Sequence, residues 1–201
     1  ATTDIYTLSL HDALPIYMEA VAWSIYDTAT YTSAATTALT FFNTTRANPQ
    51  LSNLAPAGQF PNPQFFRVQS ATLDVMELPG ASAVQAAVLD TWQILFGTGV
   101  AGIGAPVFMF VLANKQYGPF PLSMCHGTGG PQGFGYTGAV AAGVEWAVNS
   151  FPDGGFKFGN SILIPPQQAF QVTAAWDGPV TLTANINLRF ALHGTLYRRI
   201  L

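Results

Sequence analysis

The chain has 201 residues, of which 49% are hydrophobic and only 8% are charged, whereas a typical soluble domain carries about 25% charged residues. Intrinsic disorder is excluded, because disordered chains combine low hydrophobicity with high net charge. Seven basic and ten acidic residues give a net charge of −3, which argues against a nucleic-acid-binding protein with a basic face.

The first 16 residues read ATTDIYTLSLHDALPI. This string resembles the conceptual translation of a short-read sequencing adapter, whose frame has Glu where this chain has Asp4. The resemblance implies an artefactual or mis-assigned segment over residues 1–17, which takes no part in fold reasoning. We therefore predict one domain over residues 18–201 and give no weight to His11 and Asp12 as a catalytic pair.

The next part of the chain predicts strands separated by a loop. Residues 20–48 are rich in Ala and Thr, which favours extended structure, with a short strand over 36–43. Proline and glycine mark 48–63 as a loop. Residues 65–78 predict a strand whose apolar alternation changes phase, which indicates a bulge near Gln69–Ser70.

The middle of the chain is less regular. Residues 82–92 predict the only helix, because Ser82 can cap it and apolar residues recur at helical spacing. Residues 97–105 predict a glycine-rich loop. The fully apolar run 106–113 predicts a strand buried on both faces, and the Gly- and Pro-rich stretch 118–138 predicts mostly irregular structure.

Apolar and polar residues alternate strictly near the end of the chain. Apolar residues occupy the even positions of 170–176, and Asp177-Gly178 then gives the strongest short-range hairpin signal. Residues 180–192 alternate again, which predicts a half-buried strand of roughly 44 Å at about 3.4 Å per residue. Its polar face carries Thr and Asn, with Arg189 as the single charge. Such a face suits packing against a neighbouring subunit, or is ordinary sheet surface.

Several strands, turn-rich loops and at most one short helix predict an all-β fold, an antiparallel two-sheet sandwich. The single cysteine excludes an intrachain disulfide framework. No apolar run in the sequence reaches the roughly 18 residues of a membrane-spanning helix.

Two motifs suggest a binding or catalytic site, but the neighbouring sequence that each of these sites requires is absent. Gly97–Gly102 matches G-x-G-x-x-G, but a dinucleotide site requires that turn to open a helix, and a strand-like run follows here. The stretch His126–Gly130 resembles the oxyanion loop of esterases without their G-x-S-x-G elbow. Cys125 and His126 are neighbours, so they point to opposite sides of an extended chain. We read these residues as loop glycines, a small buried thiol and a turn histidine.

Metal ligands are scattered along the sequence rather than clustered. A surface cation at a subunit contact is the remaining alternative. We assign no catalytic, cofactor-binding or metal-binding residue, and we expect neither a cofactor nor enzymatic activity. The scattered candidates are His126, His193, Asp74, Glu77, Asp153 and Asp177.

Three arginines near the end of the chain have two interpretations. Arg189, Arg198 and Arg199 can contact phosphate or lipid headgroups. The more ordinary interpretation is that the terminal pair forms salt bridges.

Two stretches resemble jelly-roll viral capsid proteins, in particular small coat proteins of icosahedral phages. The first runs from Leu39–Asn43 through the proline-rich loop 54–63 to 65–68. The second runs from 162–172 through the turn into 188–198 and ends in Leu-x-Gly-x-x-x-Arg. The resemblance implies an eight-stranded jelly roll and a capsid subunit located in the virion. Its partners would be many copies of itself and other capsid proteins, and contact with an inner membrane or the genome stays open.

Two other functions compete with this one. A non-viral self-assembling surface or filament protein would share the low charge. A carbohydrate-binding jelly-roll module would stack sugars on exposed aromatic rings such as Trp146, Trp176 or Tyr117, although strand parity already places Trp176 in the core. The composition suits the capsid subunit, because a shell tile buries much surface against its neighbours.

Overall fold

Almost all regular structure in the described part of this protein is β. The computed structural model describes residues 18–76, 93–97, 104–126, 135–136, 144–145, 155–182 and 184–199. The strands are β1 (Met18–Tyr31), β2 (Ala38–Phe41), β3 (Phe65–Met76), β4 (Val107–Leu112), β5 (Lys115–Pro121), β6 (Gly135–Tyr136), β7 (Val144–Glu145), β8 (Phe156–Ile164), β9 (Phe170–Ala175) and β10 (Ile186–Arg199).

Helical structure is limited to short pieces in the described part of the chain. A 3₁₀ turn covers Leu122–Cys125, and residues 93–96 are helical. The helix predicted over 82–92 lies outside the described residues. Among the residues that the structure describes, no helix is both long enough and apolar enough to cross a membrane.

The strands form two antiparallel four-stranded sheets. Sheet I has the order β1-β10-β3-β8, sheet II has the order β2-β9-β4-β5, and β6 and β7 form a separate pair. If that pair is set aside and the other eight strands are counted in chain order, the two sheets read 1-8-3-6 and 2-7-4-5. This interleaving of two Greek keys is the jelly-roll arrangement. The predicted all-β, antiparallel two-sheet jelly-roll sandwich is therefore confirmed. The prediction also allowed at most one short helix, and in the described part of the chain residues 93–96 are the one α-helical segment.

Aromatic side chains fill the space between the two sheets. The ring of Phe190 on sheet I lies 5.5 Å from the rings of both Phe41 and Phe108 on sheet II. Phe110 and Phe170 of sheet II stack on each other at 6.0 Å. All of these rings are buried, and such aromatic pairs contribute roughly 0.5–1.5 kcal/mol each beyond the area that they bury.

The alternation predicted near the end of the chain is confirmed in β9 and β10. Even positions from 170 to 174 and from 186 to 192 are buried, as the period of a half-buried strand requires. Trp176 is only 5% exposed, and its indole N–H donates to the carbonyl oxygen of Ile94 at 2.9 Å. It is a core residue and offers no platform for a sugar.

The predicted hairpin at Asp177-Gly178 is wrong, because β9 belongs to sheet II and β10 to sheet I. Between them the chain passes from one sheet to the other. The amide of Val180 donates to the Tyr31 hydroxyl at 2.7 Å, and the amide of Leu182 donates to Ser33 Oγ at 2.8 Å. Side chains in this segment therefore alternate between buried and exposed positions, but side-chain hydroxyl groups accept the amide hydrogen bonds that a neighbouring strand would otherwise accept. The long strand begins at Ile186, later than predicted.

Two further predictions need correction in sheet II. Strand β4 is buried on one face only: Phe108 and Phe110 are buried, while Val107, Met109 and Val111 are partly exposed. The stretch predicted to be irregular from residue 118 begins inside β5. An edge strand tolerates proline and glycine because one side of its backbone needs no partner. The register of β5 shifts opposite Met109, where Gly118 has a φ of +109°.

The bulge predicted in β3 is confirmed. Val68 is paired with Gly194 of β10 and Ser70 with His193, which leaves Gln69 without a partner. The register with β8 shifts at the same place. A Cβ atom on Gly194 would lie 1.9 Å from the Arg67 carbonyl oxygen. The extra residue in β3 and the glycine at position 194 in β10 are therefore linked, because the backbone of β3 occupies the space that a side chain at position 194 would need.

Candidate functional site

An open groove of about 520 Å³ crosses the outer face of sheet I beside the bulge. We call it the His193 groove. It is lined by Ala22, Trp23, Ser24, Asn53, Gln69, His193 and Gly194.

A chain of hydrogen bonds joins three strands at this groove. His193 Nδ1 lies 2.7 Å from Ser24 Oγ on β1, and His193 Nε2 lies 2.9 Å from Thr72 Oγ1 on β3. A neutral imidazole donates from one nitrogen and accepts at the other, while each hydroxyl can do either. Both imidazole nitrogens are therefore satisfied in either tautomer, and the ring is held in place.

Burial, and to a smaller extent neighbouring charges, shift the pKa values of His193 and Asp74. Burial lowers the pKa of His193, and the Asp74 carboxylate opposes that shift. Burial also raises the pKa of Asp74, against the attraction of Arg189, His193 and His126. Burial thus favours the neutral form of the imidazole.

Acidification is expected to destabilise the protein through His193. Its unfolded-state pKa is near 6.5, and its folded-state pKa is lower. Below 6.5 the unfolded chain binds a proton that the folded chain resists, so stability is lost as the pH falls from 6.5 through the folded pKa. The loss stays below about 1.4 kcal/mol for each pH unit in that window, which is the limit for the binding of one proton. Urea denaturation between about pH 7.5 and pH 5 measures it.

The control for this effect is His193→Gln, whose amide can bridge Ser24 and Thr72 without titrating. The variant should lose less stability over the same range. Asp74 acts with the opposite sign, since its raised pKa contributes stability that is lost as the pH rises past the folded value, and it is present in both proteins. Parallel pH profiles for the two proteins would show that His193 is not the responsible group.

Arg189 holds a loop against sheet I. Its guanidinium group lies 4.7 Å from the centre of the Tyr26 ring and donates to the carbonyl oxygen of Gln50 at 2.7 Å. Tyr26 in turn donates its hydroxyl to the carbonyl oxygen of Pro49 at 2.6 Å. These contacts give Arg189 a structural role in the fold.

Arg198 forms an ion pair with Glu19 of β1, as the salt-bridge interpretation predicts. Both side chains are partly exposed, and exposed pairs of this kind contribute about 0–1 kcal/mol. Arg199 is exposed.

The sequence neighbours Cys125 and His126 do not form a catalytic pair. Cys125 is fully buried, and burial raises the pKa of its thiol far above the ordinary value. A buried neutral thiol is a poor nucleophile. His126 forms an isolated bridge with Leu73 on β3, so this segment runs beside that strand.

The other residues singled out from the sequence have ordinary surroundings or fall outside the described residues. Asp177 accepts a hydrogen bond from the Gly104 amide at 3.1 Å. The Lys115 ammonium lies 4.9 Å above the Tyr117 ring, so that face of the ring is occupied. In the segments that the structure describes, no three His, Cys, Asp or Glu residues are placed to hold a metal ion. Outside those segments lie Glu77, Trp146, Asp153 and most of the G-x-G-x-x-G motif.

Sequence reasoning missed the His193 groove, although it had considered His193 as a metal ligand. Ser24, Thr72 and His193 lie on three strands that are far apart in the chain. The register of those strands brings the side chains together. A hydroxyl residue on an alternating strand carries no local signal of such a partner.

Comparisons of this chain with known protein families, with curated proteins and with solved structures gave no match.

Proposed function

We propose that this protein is a structural virion protein, a capsid subunit of which many copies assemble into an icosahedral shell. The observation that carries the proposal is the strand order of the two sheets, 1-8-3-6 and 2-7-4-5. Viral capsid proteins are a major group with this architecture, which lectin domains also use. The order agrees with the resemblance noted in the two strand-rich stretches of the sequence.

The surface supports assembly over a dispersed monomer. Only 8% of the residues are charged, so closely packed copies repel each other little. Large apolar side chains are exposed in the described part of the chain, and interfaces between subunits cover such side chains. They are Trp23, Leu51, Met76, Phe96, Met124 and Leu163.

Exposed apolar side chains lie together at one end of the outer face of sheet I. The rings of Phe65 and Tyr197 stack at 4.5 Å on neighbouring strands, and both are partly exposed. Leu163 on β8 is 51% exposed and lies opposite Arg67 in the register. The aromatic and aliphatic side chains at this end of the face are of the kind that interfaces between subunits cover, and a partner that covers Arg67 must supply an acceptor for its guanidinium group.

A non-viral self-assembling surface or filament protein is the second candidate. The same low charge and exposed apolar side chains support it. The two candidates differ in the geometry of assembly, because rotationally closed contacts give shells and contacts that do not close give open polymers.

Electron microscopy and analytical ultracentrifugation of the purified full chain at neutral pH test the proposal. We expect closed particles of uniform diameter. Leu163→Glu and Met124→Glu, which add charge to two different surfaces, should reduce assembly where their surface forms a contact. Circular dichroism checks that both variants fold. Open filaments would favour the second candidate, and a dispersed chain at all concentrations would overturn both.

A further inference from the structure

The edge of β1 that faces away from β10 is covered by the loop after β2 over part of its length. Ser52 of that loop forms an isolated bridge with Asp27. The Asn53 side chain accepts from the Tyr26 amide at 2.8 Å, and the Asn53 amide donates to the Tyr26 carbonyl oxygen at 3.4 Å. Asn53 Nδ2 also donates to the Ser24 carbonyl oxygen at 2.7 Å. This cover ends at Ser24, so the first part of β1 lies beyond it.

We call the uncovered residues, Met18–Trp23, the open edge of β1. Both backbone groups of Tyr26 face the loop instead of β10, and β1 pairs with β10 without a register shift. Because the direction of these groups alternates along a strand, the N–H and C=O groups of Ala20 and Ala22 face the same way as those of Tyr26. Among the described residues these groups have no partner, so they are available to a further strand.

The other three outer strands of the two sheets carry features that oppose pairing with a further strand. Strand β2 has only four residues, and β5 contains one lysine and two prolines. Strand β8 contains Lys157, and its register against β3 shifts. Short strands, lysine, proline and bulges are the means by which proteins protect the edges of sheets. The open edge of β1 has none of them, and its one charged residue, Glu19, pairs with Arg198 of its own sheet.

A second copy of the same segment is complementary to the open edge. When two copies lie antiparallel about a two-fold axis at Val21, Ala20 of each copy lies opposite Ala22 of the other. The two residues then exchange both of their backbone hydrogen bonds, which satisfies the groups that have no partner in one chain. Two-fold contacts are also the commonest contacts between identical subunits.

The side chains of the open edge match in the same arrangement. Glu19, Val21 and Trp23 lie on one side of β1, the side that carries the buried Ile25. Trp23 is nevertheless 45% exposed, and the ion pair of Glu19 with Arg198 is partly exposed. Pairing places Trp23 opposite Glu19 of the second copy and brings Arg198 beside the indole, whose face attracts a guanidinium group. We propose that the open edge of β1 joins two copies of this chain by antiparallel pairing centred on Val21.

This inference deepens the proposed function and rests on it only in requiring that copies of the chain associate. It names one contact, which a shell and a filament can both use. Closed particles in which the β1 strands are not paired would overturn the inference and leave the capsid function intact. Dimers paired through β1 that form no particles would overturn the capsid function and support the inference.

Disulfide cross-linking of the purified full chain carrying Val21→Cys tests the pairing. Opposed residues that share no hydrogen bond have Cα atoms about 4.5 Å apart, within the disulfide range of about 4.4–6.8 Å. Cys125 is fully buried, so a mild copper oxidant reaches the introduced thiol. We expect most of the chain to become a covalent dimer on a non-reducing gel. Thr30→Cys, exposed on the same strand outside the open edge, is the matched control and should stay mainly monomeric.

Ala22→Pro tests the same contact without a cysteine. The Ala22 amide faces away from β10, so proline removes a hydrogen bond to the second copy and none within the sheet, as edge strands tolerate. By analytical ultracentrifugation, the concentration for half-association should rise at least about tenfold. Ala22→Thr keeps the amide and should associate as the unaltered chain does.

Circular dichroism checks that each variant folds, and cross-linking decides if Ala22→Pro does not. The inference is overturned if Val21→Cys cross-links no more than Thr30→Cys, or if folded Ala22→Pro associates as tightly as Ala22→Thr.

Discussion

Replacing Asp27 with alanine is expected to lower the free energy of unfolding by about 3–5 kcal/mol, the usual loss when one partner of a buried ion pair is removed. Asp27 lies on β1 and is fully buried. Its Oδ1 atom lies 2.6 Å from Arg46 Nε, and its Oδ2 atom accepts from the Phe42 amide at 2.7 Å. The Thr28 amide donates a third hydrogen bond to Oδ1 at 3.0 Å.

The carboxylate of Asp27 fixes the chain where β2 ends. Phe42 has a φ of +64°, which is unfavourable for a bulky residue, and its amide is held by the carboxylate. Removing the carboxylate therefore leaves two buried amides and a partly buried guanidinium without their acceptor. Urea denaturation of Asp27→Ala measures the loss.

Glu19→Ala is the matched control for Asp27→Ala. Glu19 lies on the same strand and also pairs with an arginine, but its side chain is 39% exposed. Solvent screens such a pair, so its loss should cost about 0–1 kcal/mol. Equal losses for the two variants would contradict the structural role assigned to Asp27.

The second large effect is expected for Gly194→Ala, which should lower the free energy of unfolding by about 3 kcal/mol, at the upper end of overpacking costs. The added Cβ atom would lie 1.9 Å from the Arg67 carbonyl oxygen and 2.9 Å from the Arg67 carbonyl carbon. Both atoms belong to the backbone of β3, so a side-chain rotation cannot relieve the clash. The two strands must separate at the bulge.

Gly159→Ala provides the comparison, because a Cβ atom at Gly159 on β8 would meet no atom within 4 Å. Restricting the unfolded chain should make that variant neutral or up to about 1 kcal/mol more stable. Denaturation curves of the two variants under identical conditions measure the difference in their free energies of unfolding. If Gly194→Ala proved as stable as Gly159→Ala, the close approach of the strands at the bulge would be wrong.

Local patterns predicted several features of the fold. The phase change in 65–78 indicated the bulge, because an extra residue in a strand shifts every later side chain to the other face. The even positions of β9 and β10 are buried as predicted, and Trp176 follows the same parity. These features depend on residues near each other in the sequence, where the period of two is visible.

Features that depend on distant strands were not predictable. Alternation in 180–182 does not reveal which sheet covers the chain, so the turn at Asp177-Gly178 looked like a hairpin. Asp27 looks like any polar residue in a strand, since Arg46 and the Phe42 amide reach it only through the fold. The groove at His193 likewise needs the register of β1, β10 and β3.

The sequence by itself determined that this is an all-β sandwich of low charge, because composition and the period of two are properties of neighbouring residues. Only the tertiary structure decided which strand lies beside which, and with it the jelly-roll order, the buried Asp27 and the groove beside His193. Many distant segments have a similar alternating pattern, so local sequence does not determine which strands pair. Pairing depends on contacts between the two sheets, such as the packing of Phe41, Phe108 and Phe190, and these residues come from three separate segments.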